Sequence, residues 1–246
     1  MGLKYTTGKV LSNVEVSSGM FLLNIEGDYK VKPGQFYMLS VLEGETLLPR
    51  PISIHEVNEK GIYFLYEAKG KGTKVLSKLQ EDDSIQLLGP LGNGFDIDKI
   101  SGRIAIVTGG MGIAPMKLLV KSLYNCEIDL YCGFRNDIYG IQGLESFANK
   151  IYIATESGRI GHKGYVTEMF DASKYDVVLS CGPEPMMLKL IKSCKMHKVP
   201  IYVSMERFMA CGLGACLVCT CSTIYGNKRT CKEGPVFLGE DLMLNA

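Results

Sequence analysis

The sequence of 246 residues has almost no net charge, no long hydrophobic run and no leader-like N-terminus. Its formal net charge is +1, so the positive field typical of a nucleic-acid-binding protein is not expected. The longest apolar runs are far shorter than the roughly 20 residues that a membrane-spanning helix needs. The opening MGLKYTTGKV also lacks the apolar stretch of a signal peptide. We therefore expect a cytoplasmic protein with neither a nucleic-acid nor a membrane partner.

The composition is that of a folded protein, since 46% of the residues are hydrophobic. The length favours two modest domains over one large one. The chain contains nine cysteines. In a reducing cytoplasm, that number favours metal binding or buried thiols over a disulfide framework.

The first hundred residues have the pattern of an antiparallel β-domain. Turn residues separate six short apolar or alternating runs, namely LKYTTGKVLSNVEV, MFLLNIEG, GQFYMLSVL, PISIHEV, GIYFLYEA and SIQLLGPLG. Six such strands predict a small barrel or sandwich. One helix is predicted within it at Thr73–Leu79, with Thr73 as the N-cap.

The pattern changes near Ser101, where apolar strands begin to alternate with helical segments. Continuous apolar runs such as RIAIVT are typical of strands buried on both faces, and the alternation predicts βαβ units around a parallel sheet. Helices are predicted for MKLLVKSLY, GLESFANK and PEPMMLKLIKSCKMHK, with Met186, Met187 and Met196 in the core. We predict three regions, a β-domain at 1–99, an α/β domain at 100–204 and a glycine- and cysteine-rich segment at 205–246.

The C-terminal segment carries four cysteines with the spacing Cys211-x4-Cys216-x2-Cys219-x11-Cys231. The first three match the C-x4-C-x2-C spacing of plant-type [2Fe–2S] sites, which take a fourth cysteine further along the chain. A structural zinc site is the main alternative, although zinc sites usually take two separated pairs of ligands. We predict that Cys221, two residues after Cys219, points away from the cluster and is not a ligand.

Two loops at the ends of predicted strands are candidate nucleotide sites. The first follows strand IAIVT and contains Gly109, Gly110 and Gly112, which let a pyrophosphate approach the backbone at a helix N-terminus. The second is Cys181-Gly182-Pro183, at the carboxyl edge of the same sheet, with Cys181 predicted to lie near the nicotinamide. Arg135-Asn136-Asp137 includes both an acid, which favours NAD, and an arginine, which tolerates NADP, so these residues leave the choice open.

Several motifs together resemble the ferredoxin–NADP reductase superfamily. They are Arg50-Pro51-Ile52-Ser53, Tyr66-Glu67, Gly70-Lys71-Gly72-Thr73, GGMGIAP and CGPEPMM. With CGLGACLVC added, nearly the whole chain resembles the electron-transfer subunits of NAD-linked, two-subunit bacterial dihydroorotate dehydrogenases.

The resemblance implies a Greek-key β-barrel that binds FAD, an NAD-binding α/β domain and a terminal [2Fe–2S] cluster. It implies that Arg50 contacts the FAD pyrophosphate and that Ser53 hydrogen-bonds near flavin N5. The further FAD contacts that it implies are Pro51, Ile52, Leu65, Tyr66, Glu67, Gly72 and Thr73. Glu67 departs from the family pattern, which commonly has arginine there, so we expect it to contribute only its backbone beside the diphosphate.

The function implied is that of an electron conduit in pyrimidine (UMP) biosynthesis. Electrons pass between NAD(H) and the FMN of a dihydroorotate dehydrogenase catalytic subunit, through FAD and the cluster, in an assembly of two copies of each subunit. The exposed-looking apolar residues Phe208, Met209, Leu213 and Leu217 either dock that partner or pack on their own domain. The alternatives are a related reductase subunit with another partner, serving ferredoxin, sulfide or hydrogen chemistry, and a zinc-binding interaction protein.

Overall fold

The structure, a computed structural model, describes residues 4–41 and 47–244. Over these ranges, no helix combines the length and apolar character needed to cross a membrane.

The N-terminal β-domain consists of the strands β1 (Lys4–Ser17), β2 (Met20–Ile25), β3 (Phe36–Ser40), β4 (Arg50–Asn58), β5 (Gly61–Glu67) and β6 (Ser84–Leu91). They form a closed antiparallel barrel in the order β1-β2-β5-β4-β3-β6. Alternate residues of each strand point inward, and residues such as Leu23, Ile54 and Phe64 are fully buried in the barrel core. The predicted β-domain is confirmed, and it is a barrel rather than a sandwich.

The helix attached to the barrel, α1 (Lys71–Leu76), begins two residues earlier than predicted. Gly70 is its N-cap, and the amide of Gly70 donates a hydrogen bond to Thr73 Oγ1 at 3.1 Å. Thr73 therefore occupies the third position of the helix, not its N-cap, because its hydroxyl reaches back to the start of the turn.

The second domain is built on a sheet of the strands β7 (Gly102–Gly109), β8 (Cys126–Phe134), β9 (Lys150–Thr155), β10 (His162–Lys163), β11 (Val177–Cys181), β12 (Ile201–Ser204) and β15 (Val236–Leu238). Their order is β10-β9-β8-β7-β11-β12-β15. All neighbours are parallel except β12 and β15, which pair antiparallel. Helices α2 (Met116–Ser122) and α3 (Glu184–His197) cover the sheet. The predicted parallel-sheet domain is confirmed.

Two details of the α/β prediction were wrong. Residues 143–150, predicted as a helix, form a series of turns that lead into β9. Gly143 begins this stretch with a positive φ of 78°, a conformation that does not continue an α-helix. Met196 is 75% exposed, whereas Met187 is buried as predicted.

The C-terminal segment starts and ends at the α/β sheet. After β12 the chain forms the cysteine-rich loop and a hairpin of β13 (Thr220–Thr223) and β14 (Gly226–Arg229). It then returns to the sheet as β15, where Val236 is the register partner of Ser204. Within this segment, Cys219 and Cys231 pack against Phe36, which belongs to the barrel. The segment therefore lies against both domains, and the boundaries of the three predicted regions stay predictions.

Candidate functional site

The predicted flavin motif lies on β4 and at the start of α1, and the structure brings its two parts together. The Arg50 side chain lies across Gly72, where an added Cβ would be only 2.0 Å from Arg50 Nε. Its guanidinium also donates a hydrogen bond to the carbonyl oxygen of Leu48 at 2.8 Å. A cation therefore sits beside the amides of a helical first turn, the pair of groups that binds a phosphate. These residues fit the pyrophosphate of FAD.

Three other residues of the predicted flavin motif have their side chains in the protein interior. Ile52, Leu65 and Tyr66 are 9%, 2% and 1% exposed, and the Tyr66 hydroxyl donates to Asn13 Oδ1 at 3.1 Å. Only the main chain of these residues is available to a cofactor. Ser53 is half-buried on the outward face of β4, opposite Phe36 of β3.

Glu67 lines a cavity between the two domains. The cavity has a volume of about 850 Å³, and Tyr139 lies on its wall. Burial, together with the nearby Glu67 and Glu206 carboxylates, raises the pKa of Tyr139 to about 12, so its hydroxyl stays protonated at neutral pH.

The two predicted nucleotide loops form the floor of this inter-domain cavity and contact each other. Gly109, Gly110, Gly112, Gly182 and Pro183 all line it. A Cβ on Gly112 would lie 2.0 Å from the carbonyl oxygen of Cys181, so this close approach requires glycine. The carboxyl ends of β7 and β11 thus meet at a crevice with exposed loop backbone, which fits a dinucleotide.

Cys181, the predicted residue near the nicotinamide, is 2% exposed at the end of β11. Burial, reinforced by the Glu206 carboxyl, raises its pKa well above the usual value, so the group is a neutral thiol. Its Sγ lies 3.9 Å from Glu206 Oε1.

Sequence reasoning missed Glu206. It follows β12 at the start of the C-terminal segment and lines the cavity. The residue has exposed atoms, but burial of its carboxyl group raises its pKa. An acid just beyond a predicted strand end, on the edge that carries the glycine loops, is the sequence signal that pointed to it.

The four predicted cluster ligands are grouped as two pairs. Cys211 interacts with Cys216, and Cys231 with Cys219, whose Sγ accepts a hydrogen bond from the Cys231 amide at 3.5 Å. Within the part of the chain that the structure describes, no group of three or more His, Cys, Asp or Glu side chains is arranged for a single metal ion. A [2Fe–2S] cluster is held by four cysteines on two irons, and two pairs of thiols fit it.

The backbone of the cluster loop supplies donors to the sulfurs. The Leu213 amide donates to Cys211 Sγ at 3.3 Å. Burial alone would raise the pKa of Cys211, but hydrogen bonds from the amides of Cys216 and Leu213 lower it to about 6. Gly212 and Gly214, with φ of 69° and 78°, give the loop the left-handed turns that direct these amides inward.

Cys221, predicted not to be a ligand, is buried on the β13–β14 hairpin, and burial raises its pKa. None of the nine cysteines forms a disulfide. The exposed fractions of Phe208, Leu213 and Leu217 are 92%, 45% and 62%, so these side chains do not pack on their own domain. Met209 differs, because it packs against the buried cluster that contains Cys219 and Cys231.

Comparison with known proteins gives matches over the segment and over the whole chain. Residues 206–243 match the family described as the iron–sulfur cluster binding domain of dihydroorotate dehydrogenase B. A Clostridium acetobutylicum protein named dihydroorotate dehydrogenase B (NAD(+)), electron transfer subunit, is 52% identical over 242 residues, which cover 98% of each chain. A Bacillus velezensis protein of the same name is 37% identical, with 96% of this chain and 97% of that one covered. These matches favour an iron–sulfur cluster over a zinc ion as the group that the four cysteines bind.

Solved structures match the architecture. An NADH-dependent reduced ferredoxin–NADP oxidoreductase superposes with a TM-score of 0.85 at 26% identity, covering 96% of this chain and 89% of that chain. A Neisseria gonorrhoeae ferredoxin–NADP⁺ reductase, solved with bound FAD and NADP, has a TM-score of 0.63 at 16% identity. The superposition covers 84% of this chain and 95% of the reductase, and at this identity it supports only the two-domain fold.

Proposed function

The chain belongs to the family of electron-transfer subunits of dihydroorotate dehydrogenase B, and from this premise we propose how its residues carry the electrons. In this proposal, they pass between NAD(H) and the FMN of a dihydroorotate-oxidising catalytic subunit, through FAD and a [2Fe–2S] cluster. Two copies of each subunit assemble in the cytoplasm. A chain with nine cysteines suits that reducing compartment.

The observation that carries the proposal is the position of Phe36. It is the register partner of Ser53, the residue predicted to lie beside the flavin ring. It also packs against Cys219 and Cys231, two of the predicted cluster ligands. Phe36, Cys219 and Cys231 thus belong to one buried group, which brings the flavin strand close to the cluster thiols and gives an electron a short path between them.

At the flavin end, Arg50 and the first turn of α1 hold the diphosphate, and Ser53 presents a hydroxyl to the ring edge. The buried Ile52, Leu65 and Tyr66 keep the strands that carry these contacts rigid. When bound, FAD exchanges a hydride with the nicotinamide and single electrons with the cluster, which links a two-electron carrier to a one-electron relay.

In the inter-domain cavity, the glycine loop at 109–112 takes the NAD pyrophosphate. Cys181 is buried beneath the cavity floor, next to Gly182, and supports the nicotinamide end from behind. The neutral Cys181 thiol donates a hydrogen bond to Glu206 Oε1 across 3.9 Å, which holds the thiol in place. Hydride transfer needs no obligatory general base, so these residues act by orientation and by exclusion of water.

At the exit, Phe208, Leu213 and Leu217 form an exposed apolar rim around the cluster loop, which we name the docking rim. Exposed apolar residues grouped around a functional site are typical of a protein interface. The docking rim brings the catalytic subunit to the cluster.

A direct test uses the purified chain and its complex. We expect flavin bands and broad iron–sulfur absorption, equal iron and acid-labile sulfide, and NADH-dependent reduction of artificial dyes by the chain alone. Dihydroorotate oxidation is expected only after the catalytic subunit is added. Turnover of dihydroorotate by the isolated chain, or a colourless zinc-loaded protein, would contradict the proposal.

A second candidate is a related NADH-dependent reductase subunit that serves ferredoxin. The superposition on a ferredoxin–NADP oxidoreductase with a TM-score of 0.85 favours keeping this candidate in the test. The partner that co-purifies with the chain separates the two. A ferredoxin in place of a dihydroorotate-oxidising subunit would support the second.

A further inference from the structure

A β-bulge interrupts β4 just after the predicted flavin motif. In the pairing of β4 with β5, Ile54 is opposite Phe64 and Glu56 is opposite Tyr63, so His55 is the extra residue. In a regular strand, consecutive side chains point to opposite faces. The bulge changes this alternation, and both His55 and Glu56 contact the segment that contains α2.

The contacts between the bulge and the α2 segment are short and shielded from water. His55 Nδ1 lies 2.7 Å from the carbonyl oxygen of Ala114. Glu56 forms two ion pairs, with Lys117 at 2.8 Å and with Lys121 at 2.6 Å. The His55 residue is 4% exposed, and the Glu56 side chain is 14% exposed.

The charge states of these groups suit a permanent contact. Burial lowers the pKa of His55 to about 4, so the neutral imidazole donates its Nδ1–H to Ala114 at physiological pH. Burial alone would raise the pKa of Glu56, but the hydrogen bonds from Lys117 and Lys121 outweigh it and hold the pKa below its usual range. The carboxylate therefore stays charged and paired.

Helix α2 has two packed faces. Met116, Leu119 and Val120 are buried against the α/β sheet. On another face, Lys117 and Lys121 bind Glu56, and Leu118 packs against the barrel core. Spacings of three and four residues place these contacts on one side of the helix. The helix is therefore held by both domains at once.

The position of this contact in the chain gives it a consequence for the reaction. Helix α2 directly follows the glycine loop at 109–113, and the bulge lies two residues after Ser53. The cavity between the domains is lined by this same glycine loop and is the predicted nucleotide site. A shift of α2 along β4 would move the nucleotide loop relative to the flavin strand.

We propose that Glu56 is a positioning residue that, with His55, fixes the nucleotide loop at its working distance from the flavin strand. The inference rests on the proposed function, in which hydride passes between a nicotinamide in the cavity and a flavin beside Ser53. Hydride transfer requires the reacting atoms about 3–3.5 Å apart, and a displacement near 1 Å can slow such a step about a hundredfold. Glu56→Gln leaves two lysines without their carboxylate and loosens the contact.

The test measures reduction of FAD by NADH in the complex with the catalytic subunit, by anaerobic stopped flow. We expect Glu56→Gln to slow this step about tenfold, with the NADH dissociation constant and the FAD and iron contents changed less than about twofold. The Lys117→Gln/Lys121→Gln variant should show the same slowing, and the triple variant should be no slower than either.

A readout independent of turnover is amide hydrogen exchange in the full chain without NAD. We expect faster exchange over residues 114–122 in Glu56→Gln. The matched control is Asp129→Asn, which removes the carboxylate bound by Arg103 and Tyr175 within the α/β domain. It should destabilise that domain while leaving FAD reduction at the wild-type rate.

Each outcome decides one question. If the wild-type complex shows no NADH-dependent FAD reduction, the proposed function fails. If it does and Glu56→Gln reduces FAD within about twofold of that rate, the positioning role is overturned. The role is also overturned if FAD or iron is lost in proportion to the rate, because Glu56 is then structural. Should Glu56→Gln not fold, the lysine variant decides by the same criteria.

Discussion

In the barrel, most of the predicted cofactor contacts beyond Arg50 and Ser53 are backbone atoms, whereas in the C-terminal segment they are side chains. On β4 and β5, the side chains of Ile52, Leu65 and Tyr66 are buried and only their main chain faces outward. In the cluster loop, the thiols themselves are the predicted ligands. A backbone site survives changes of side chain as long as no added atom blocks it, while a side-chain site is lost with a single ligand.

The two regions also differ in what keeps them folded. The barrel has a continuous core that includes Val10, Leu23 and Phe64. The cluster loop contributes Cys219 and Cys231 to a small buried group with Phe36, Met38 and Leu91. The loop therefore relies on its ligands and on local hydrogen bonds more than on apolar burial. Damage to one region should leave the cofactor of the other in place.

The largest expected effect is loss of the cluster after Cys219→Ser or Cys231→Ser, with FAD retained. Serine is a poor ligand for iron compared with a thiolate, and each iron needs both members of its pair. Iron and acid-labile sulfide should fall to background while the flavin absorption persists. The matched control is Cys221→Ser on the same hairpin, which should keep both cofactors. Cluster loss in that variant would contradict the ligand set.

A weaker complex is the next largest effect, expected from Phe208→Ser in the docking rim. Loss of a large apolar side chain from an interface costs about 2 kcal/mol, a roughly 30-fold higher dissociation constant for the catalytic subunit. Dye reduction by the isolated chain should not change. Tyr124, which is 84% exposed and belongs to the α/β domain, provides the control Tyr124→Ser. Equal affinity of both variants would remove the docking role.

A single methyl group at Gly72 should test the predicted contact between Arg50 and the FAD diphosphate. Gly72→Ala places a Cβ 2.0 Å from Arg50 Nε and displaces the guanidinium. We expect the FAD dissociation constant to rise about tenfold, equivalent to about 1.4 kcal/mol. Gly70→Ala is the control, because nothing lies within 4 Å of its added Cβ. Fluorescence titration of the FAD-free chain measures both, and equal affinities would contradict the proposed contact.

The smallest effect concerns Glu206 and pH. Because burial raises its pKa above the ordinary 4.5, the folded state binds this proton more tightly than the unfolded state. Stability from this carboxyl is present below pH 4.5 and is lost as the pH rises through the folded pKa. Glu206→Gln cannot ionise, so its free energy of unfolding should fall less over that range. Urea unfolding at several pH values measures this, and parallel curves would contradict it.

What could be predicted from the sequence follows the same division between side-chain and backbone sites. The cluster cysteines could be predicted, because their identity and spacing are themselves the signal for a [2Fe–2S] site. The barrel and the parallel sheet could be predicted, because alternating and continuous apolar runs indicate which faces of a strand are buried. Glu206 could be placed at the strand edge from its position after β12, but its contact with Cys181 could not be predicted, because that contact depends on the tertiary path of the chain.

Other errors have local causes. Residues 143–150 contain apolar residues at helical spacing, but a left-handed Gly143 and turns around the buried Leu144 replace the helix. The pairing of His55 and Glu56 with α2 depends on a bulge, which shifts register without a distinctive sequence. Periodicity predicts which face is buried and cannot anticipate where an extra residue changes that face.

Because Ser204 pairs with Val236, residues 205–235 form one long loop whose two ends are neighbours in the same sheet. Such a loop can be exchanged without cutting the sheet. Replacing residues 205–235 with a short hairpin turn would join β12 to β15 directly and leave the nucleotide domain closed.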